Sequence, residues 1–320
     1  MVGGTIGRDA VRSAFAGLGS RPAVLERRQR LMGGTGAIVL VGGTEELLAE
    51  CFALADRCEA VWSRFLLDSD ISRLNWANGR SITVDPLTVR LLLAMREGAD
   101  LTGGEFNPTV LPDLIEAGYA ASTVEPSRVT VLPEGSRTAP RLELTVSDDV
   151  VSLPRDTALD AGGIGKGLAA DLVVEFALAH GAWGALAEFG GDVVADGEAP
   201  TTDGWTVAVE NAGDDSQAPF TMRLARGAIV TSSQVRRRWA IGDQTRHHLI
   251  DPRTGGSAAT HVQTATVIAA TGARAEVLAK PAFLRDPADY LAWLPTVGGA
   301  ALLLCDGGEL IESENWETYR

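Results

Sequence analysis

One stretch decides the fold of this chain: Leu159-Asp160-Ala161-Gly162-Gly163-Ile164-Gly165-Lys166-Gly167-Leu168-Ala169-Ala170-Asp171. Four glycines and one lysine lie within six of these residues, and an apolar run of helical period continues to Ala179. Glycine allows positive φ angles and lets a ligand approach the backbone closely. The free N–H groups at the start of a helix, together with the helix dipole, favour an anion. The stretch therefore predicts a loop that enters a helix and holds a phosphate or pyrophosphate beside Lys166.

Two known phosphate-binding motifs compete for this stretch with a purely structural interpretation. A Walker A loop requires serine or threonine after its lysine, whereas Gly167 follows Lys166 here. A dinucleotide fingerprint, Gly-x-Gly-x-x-Ala, matches at Gly165, Gly167 and Ala170. Its context is poor, because the preceding segment 153–159 contains proline, arginine and aspartate and makes an unfavourable buried strand. In the structural interpretation, the glycines only let a helix pack against its neighbour. These residues alone leave that interpretation open.

The composition restricts the partners and the compartment. The 320 residues carry a net charge of −14, which disfavours nucleic acid and anionic membrane surfaces, so we expect neither as a partner. The cysteines Cys51, Cys58 and Cys305 are odd in number and show no metal-ligand spacing, and the first two share a helix face. Buried, reduced thiols are expected. Residues 1–30 show no secretory signal and no 18-residue apolar run occurs, so we expect a cytoplasmic protein.

Strand-like and helix-like segments alternate without a regular βαβ period. This pattern predicts the α+β class, with mixed sheets and flanking helices. Residues 1–30 mix glycine, arginine and alanine with little periodicity, which predicts a flexible N-terminal arm before a single domain over 31–320. Within that domain we expect a helix over 45–65 capped by Thr44, a polar loop over 63–75, and a helix over 273–284.

Six further motifs occur in order along the chain. They are Met32-Gly33-Gly34-Thr35, Asp68-Ser69-x-Ile71-Ser72-Arg73-Leu74-Asn75, Gly104-x-Phe106-Asn107-Pro108-Thr109-Val110, Gly190-Gly191-Asp192, Thr231-Ser232, and His248-Leu249-Ile250-Asp251-Pro252-Arg253-Thr254-Gly255. Together with the glycine-rich stretch, this ordered set resembles the ApbE family of flavin transferases, also described as FAD:protein FMN transferases. The resemblance covers residues 31 to 312, and it implies an ApbE-like architecture related to the T-fold.

The resemblance implies both a reaction and a site. Family members bind FAD as a substrate and, with Mg2+, cleave its pyrophosphate and leave FMN on a Thr or Ser hydroxyl of an acceptor protein; some pass it to water. His248 corresponds to the histidine where a general acid or base would sit, and histidine titrates in a useful range. Gly163 would offer its carbonyl to the metal. The residues that match cofactor contacts are Met32, Phe65, Glu105, Phe106, Asn107, Asp160, Lys166 and Ile250.

This chain departs from the family at three points. The family usually has aspartate at the position of Asn107. Its metal site is completed by Ala-Asp-x-x-x-Thr, whereas this chain has Ala275-Glu276-Val277-Leu278-Ala279-Lys280, followed by Pro281. Glu276 can still bind a hard cation, but a protonated Lys280 cannot and would repel Mg2+. Pro281 is expected to disturb the helix. The chain also lacks the acceptor motif Asp-Ser/Thr-Gly-Ala-Ser/Thr, so self-flavinylation is not predicted.

Three interpretations of Lys280 follow from this departure. In the first, the Lys280 ammonium group replaces the metal. In the second, the chain binds FAD but does not catalyse the reaction. In the third, Lys280 points to solvent, and Glu276 and Gly163 still hold Mg2+. The leading hypothesis is an FMN transferase or FAD pyrophosphatase, and the alternative is a non-catalytic FAD-binding protein with a degenerate metal site. A nicotinamide-dependent oxidoreductase would require a parallel Rossmann sheet.

Overall fold

The computed structural model describes residues 22–209, 220–235, 237–242 and 244–319. Its strands are, in chain order, β1 (Val24–Leu31), β2 (Gly34–Val41), β3 (Ile82–Thr83), β4 (Thr145–Ser147), β5 (Val150–Ser152), β6 (Gly184–Phe189), β7 (Asp192–Gly197), β8 (Trp205–Val209), β9 (Phe220–Leu224), β10 (Gly227–Ser233), β11 (Arg238–Ile241), β12 (Gln244–His247), β13 (Val262–Ala269), β14 (Ala300–Cys305) and β15 (Leu310–Glu312). Its α-helices are α1 (Glu45–Trp62), α2 (Asp70–Ala77), α3 (Pro86–Leu101), α4 (Leu111–Glu116), α5 (Gly165–Ala179), α6 (Gly272–Ala279) and α7 (Pro287–Trp293). Short 3₁₀ turns occupy Pro281–Phe283, Leu294–Val297, Asp306–Gly308 and Trp316–Tyr319.

One eight-stranded sheet, in the order β1-β2-β6-β7-β10-β13-β14-β15, forms the frame of the fold. Each neighbouring pair in it is antiparallel. The α+β class is thus confirmed, but the pairing is antiparallel where mixed sheets were expected. The antiparallel pairing also excludes the Rossmann interpretation of the glycine-rich stretch, because that fold needs a parallel sheet.

Both faces of the sheet are covered. Successive side chains along each strand point to opposite faces, so neighbouring residues pack in different clusters. On β7, Val193 belongs to one buried cluster and Val194 to the other, and Ile229 and Val230 alternate in the same way on β10. The first face packs against α1, α5 and α6. The β8–β9 hairpin and Trp316 cover the second face. The cysteines Cys51 and Cys58 are buried in α1, as the helix spacing predicted.

The N-terminal boundary of the fold lies earlier than the sequence indicated. Strand β1 pairs with β2 along its whole length, from Val24 opposite Val41 to Leu31 opposite Gly34. The prediction of a flexible arm over 1–30 is therefore wrong for residues 24–30, while residues 1–21 lie outside the described part of the chain. The strand was missed because it is an edge strand, with mostly exposed and largely charged side chains that hide the apolar alternation.

Several local signals in the helices are confirmed, and two predictions fail. The Thr44 hydroxyl accepts a hydrogen bond from the Leu47 N–H and caps α1, and α6 ends at Ala279, directly before Lys280 and Pro281. The predicted helix over 273–284 is therefore shorter than expected. The polar loop predicted over 63–75 instead contains the start of α2, which Ser69 caps through the Ser72 N–H. No helix in the described residues is long and apolar enough to cross a bilayer.

The glycine-rich stretch allows α5 and α6 to meet at their N-termini. A Cβ atom on Gly167 would lie 2.3 Å from the carbonyl oxygen of Gly272, so only glycine permits this approach. The carboxylate of Asp171 then accepts the Gly272 and Ala273 N–H groups at 2.6 and 2.9 Å. This close approach brings Glu276, on α6, beside the first turn of α5. The structural interpretation of the glycines is thus correct for Gly167, and the same contact builds the site.

Candidate active site

A cavity of about 560 Å³ opens beside the N-terminus of α5. Its volume falls in the range of about 300–1,000 Å³ that is usual for small-molecule sites. Eleven of the residues singled out in the sequence line it: Met32, Phe65, Glu105, Phe106, Asn107, Asp160, Gly163, Lys166, His248, Ile250 and Lys280. Glu276 does not line the cavity, but its carboxylate pairs with Lys166, which does. The fold thus gathers residues from distant parts of the chain around one opening.

Lys166 lies in the first turn of α5 and is held by two carboxylates. Its Nζ forms an ion pair with Asp192 on β7 and lies 3.2 Å from Oε1 of Glu276. The other Glu276 oxygen accepts the Gly167 N–H at 3.0 Å. Glu276 is only 2% exposed, so these bonds satisfy a carboxylate that burial alone would disfavour. The carboxylate of Glu276 therefore serves to position Lys166 and the helix terminus.

Lys280 lies directly after α6 and turns into the cavity wall. Its Nζ donates a hydrogen bond to the Ser232 hydroxyl at 3.2 Å, and its Cε would lie 3.3 Å from a Cβ placed on Gly163. Burial lowers the pKa of Lys280 to about 8, helped by the positive charges of Lys166 and Arg237, while Glu276 acts in the opposite direction. The interpretation in which Lys280 points to solvent is therefore wrong, because its side chain contacts β10 and the glycine-rich stretch.

The residues at this position do not fit Mg2+. Magnesium takes near-octahedral oxygen ligands at short distance, usually including free carboxylates. Both carboxylates near the expected position, Glu276 and Asp192, are already paired with Lys166. The side-chain stem of Lys280 lies against Gly163, whose carbonyl was expected to bind the metal. Within the described ranges, no group of three or more His, Cys, Asp or Glu side chains is placed to hold a metal ion.

His248 follows β12, and one of its ring nitrogens is left without a hydrogen-bond partner among the described residues. This nitrogen, Nδ1, is buried, although the side chain lines the cavity. Burial lowers the pKa of His248 to about 3, and the charges of Arg237, Lys280 and His247 act in the same direction against a backbone hydrogen bond with Arg237. The expectation that this ring titrates near neutrality is therefore wrong. A neutral imidazole with an open nitrogen can accept a proton or a hydrogen bond from a bound hydroxyl.

Because the pKa of His248 is depressed, its ring is expected to stay neutral from pH 8 down to pH 5. Nitrogen-15 NMR of the histidine rings measures this directly, and a midpoint at or above pH 6 would contradict it. The unfolded chain binds a proton near pH 6.5 and the folded chain only near pH 3. This group therefore contributes stability above pH 6.5 that is lost as the pH falls toward 3.

Phe65 and Tyr119 line the cavity and, with Trp239 behind Tyr119, form an aromatic wall that the sequence did not predict as a unit. The Arg64 guanidinium lies 4.1 Å from the ring centre of Phe65 and 5.0 Å from that of Tyr119. Trp239, from the β11–β12 hairpin, lies 5.7 Å from Tyr119 and donates its indole N–H to Ala117 at 2.6 Å. Such a surface suits a planar ring system. Three separated segments build it, so only Phe65 carried a sequence signal.

Three predicted contact residues are also engaged within the protein. Glu105 forms a salt bridge with Arg285 at 2.7 Å, and the Arg285 guanidinium stacks on Trp293. The Asp160 carboxylate lies 3.5 Å from Nε of Arg64. Asn107 donates to the Ala139 carbonyl at 2.8 Å and accepts from the backbone and hydroxyl of Thr109. Contact of these three residues with FAD stays a prediction. The Asn107 side chain also connects two segments of the protein through its hydrogen bonds to Ala139 and Thr109.

The bonds of Asn107 explain why an amide rather than a carboxylate stands here. Asn107→Asp would place an acceptor oxygen against the Ala139 carbonyl, so the free energy of unfolding is expected to fall by about 1–3 kcal/mol. Urea denaturation measures the change. Asn78→Asp, at the exposed left-handed C-cap of α2, is the matched control, and equal losses in the two variants would contradict this account.

Comparison with known proteins agrees with this geometry. The model of the ApbE family matches residues 32–303. The FAD:protein FMN transferase of Treponema pallidum is 29% identical over 255 residues, covering 74% of this chain and 70% of that protein. The enzyme of the same name from Klebsiella pneumoniae is 27% identical over 252 residues, covering 74% of this chain and 75% of that protein.

Solved structures show the same fold. The ApbE protein of Thermotoga maritima superposes with a TM-score of 0.80 at 25% identity, covering 93% of this chain and 99% of that one. The flavinyl transferase ApbE of Pseudomonas stutzeri superposes with a TM-score of 0.78 at 23% identity, covering 93% of this chain and 97% of that one.

Proposed function

This chain belongs to the ApbE family, and on that premise we propose that it is an FAD:protein FMN transferase. One observation carries the proposal: the neutral ring of His248, with its open Nδ1, stands in one cavity with Lys166 and Lys280. A proton acceptor beside clustered cations is what attack on a pyrophosphate needs. The aromatic wall at Phe65 supports binding of a planar ring of FAD.

In the proposed reaction, the oxygen of a Ser or Thr hydroxyl on the acceptor protein attacks the phosphorus of the FMN half. The bond from that phosphorus to the bridging oxygen breaks, and AMP leaves with the bridging oxygen. His248 Nδ1 takes the hydroxyl proton and releases it to water. With water as the nucleophile, the same steps give FMN and AMP, which is FAD pyrophosphatase activity.

The charges around the cavity support each step. Lys280 and Arg237 offset the charges of the phosphates and the negative charge that develops on the departing AMP, with Lys166 beside them in the cavity. The bound pyrophosphate also offsets the cations that depress the His248 pKa, so the ring becomes a better proton acceptor when FAD is present. Met32, Asp160 and Ile250 line the same cavity and are proposed contacts of FAD. A cytoplasmic location stays a prediction.

The test is release of AMP from FAD, measured by chromatography. The protein is incubated with FAD and a protein that carries the Asp-Ser/Thr-Gly-Ala-Ser/Thr motif, with chelator and with a series of divalent metals. We expect AMP to be released. Intact FAD retained under every condition would contradict the transferase and favour the second candidate, a non-catalytic FAD-binding protein, which the replacement at Lys280 supports. Failure to bind FAD would exclude both.

A further inference from the structure

We propose that the Lys280 ammonium group takes the place of a divalent cation, so that this chain binds the pyrophosphate of FAD without metal. The identity of the ligand rests on the proposed function, whereas the cationic site rests on the geometry of this chain. The proposal would make Lys280 a binding residue for the bridge between the FMN and AMP halves.

Three parts of the fold contact Lys280 and fix the position of its amine. Lys280 follows α6, its Nζ is bonded to Ser232 on β10, and its stem packs against Gly163 of the glycine-rich stretch. Pro281 ends the helix and leads into a 3₁₀ turn, which sets the direction of the side chain. A lysine held in this way needs little rearrangement to meet an anion, which favours binding.

The amines of Lys166 and Lys280 differ in how many hydrogen bonds they can still donate to a ligand. Lys166 is paired with Asp192 and Glu276, so its charge is largely offset. Lys280 donates one of its three N–H bonds to the neutral hydroxyl of Ser232, and the described contacts leave two for a ligand. Arg237 lines the same cavity and is close enough to depress the Lys280 pKa. Lys280 and Arg237 together match the two charges of a pyrophosphate diester.

Lysine is rare in this chain and occurs only at this cavity. The chain has 28 lysine and arginine residues, of which only Lys166 and Lys280 are lysines, and both line this cavity. Arginine carries a broad planar group, whereas the lysine ammonium is a compact point charge. A site that must hold a small, concentrated charge between two phosphates favours the compact group. Both lysines of the chain therefore lie where a compact positive charge could meet a pyrophosphate.

The decisive experiment compares FAD affinity in EDTA and in millimolar Mg2+, by equilibrium dialysis with the whole protein. The native chain is expected to bind equally in both. Lys280→Met should lose about tenfold to a hundredfold in affinity in both, the loss expected for a hydrogen bond to a charged group. Lys280→Thr should also lose affinity in both, because Glu276 and Asp192 remain paired with Lys166. Arg274→Met, on the same helix but bonded to Val297, is the matched control and should bind as the native chain does.

A second measurement on the native sequence covers the case in which the variants fold poorly. Biosynthetic labelling with nitrogen-15 lysine marks only two side chains, those of Lys166 and Lys280, and leaves their ammonium groups unmodified. FAD in EDTA is expected to shift the Lys280 signal, while Mg2+ alone leaves it in place. A Lys280 signal that FAD does not move, or native binding that disappears in EDTA, would overturn the proposal.

The outcomes separate this proposal from the transferase. Binding of FAD in EDTA without release of AMP would support the cationic site and contradict the transferase. Release of AMP that requires Mg2+, with binding that also requires it, would contradict the cationic site and leave the transferase in place.

Discussion

His248→Asn is expected to lower the rate of AMP release from FAD by about 10²–10⁴-fold, the contribution usual for a positioned proton acceptor. The open Nδ1 of His248 is the proton acceptor that we place in the cavity, and an asparagine amide cannot take up the proton. FAD affinity should change little, because the phosphates are held by Lys166, Lys280 and Arg237. The measurement is single-turnover chromatography of AMP together with equilibrium dialysis of FAD.

The matched control is His261→Asn. The ring of His261 is 88% exposed and bonds to Asp306, away from the cavity, so this variant should release AMP at the native rate. A His248→Asn variant that retained the native rate, or one that lost FAD affinity in proportion to rate, would contradict the assigned role of His248.

Gly167→Ala is expected to have the largest effect on the fold, with a fall of about 1–3 kcal/mol or more in the free energy of unfolding. The added methyl group would lie 2.3 Å from the Gly272 carbonyl oxygen, which belongs to the backbone and cannot turn aside. Moving α6 away from α5 would also stretch the bond from the Gly167 N–H to Glu276, and with it the support of Lys166. Urea denaturation followed by circular dichroism measures the change.

Gly165→Ala provides the control in the same stretch. A Cβ atom on Gly165 would meet Ala161 at 3.5 Å and Trp62 at 3.9 Å, which are ordinary contacts. Alanine in the first turn of a helix should leave stability unchanged or raise it slightly. Equal losses in both variants would show that the glycines are needed for another reason than the approach of α6.

The features that the sequence predicted well are those with a local cause. The Thr44 cap and the buried face of Cys51 and Cys58 each follow from residues close together in the chain. The start of α2 had such a signal in Ser69, but the polar residues that follow it suggested a loop. Local chemistry therefore predicted the presence of a helix or strand more reliably than its length.

The features that the sequence did not predict depend on distant contacts. Strand β1 gains its place from pairing with β2, and the aromatic wall joins Arg64, Tyr119 and Trp239 from three segments. The neutral state of His248 results from burial and from cations elsewhere in the chain, and the Lys280 side chain is directed inward to Ser232 on β10. No spacing along the sequence reports these effects. The cavity itself was indicated by ordered motifs, but its charge balance required the fold.

The most direct test of this account is mass spectrometry of an acceptor protein that carries the flavinylation motif, after incubation with FAD and this protein. We predict FMN attached to a Ser or Thr hydroxyl of the acceptor, with one AMP released for each FMN transferred, both in chelator and in Mg2+. An unmodified acceptor, with FAD recovered intact after incubation in either condition, would contradict it.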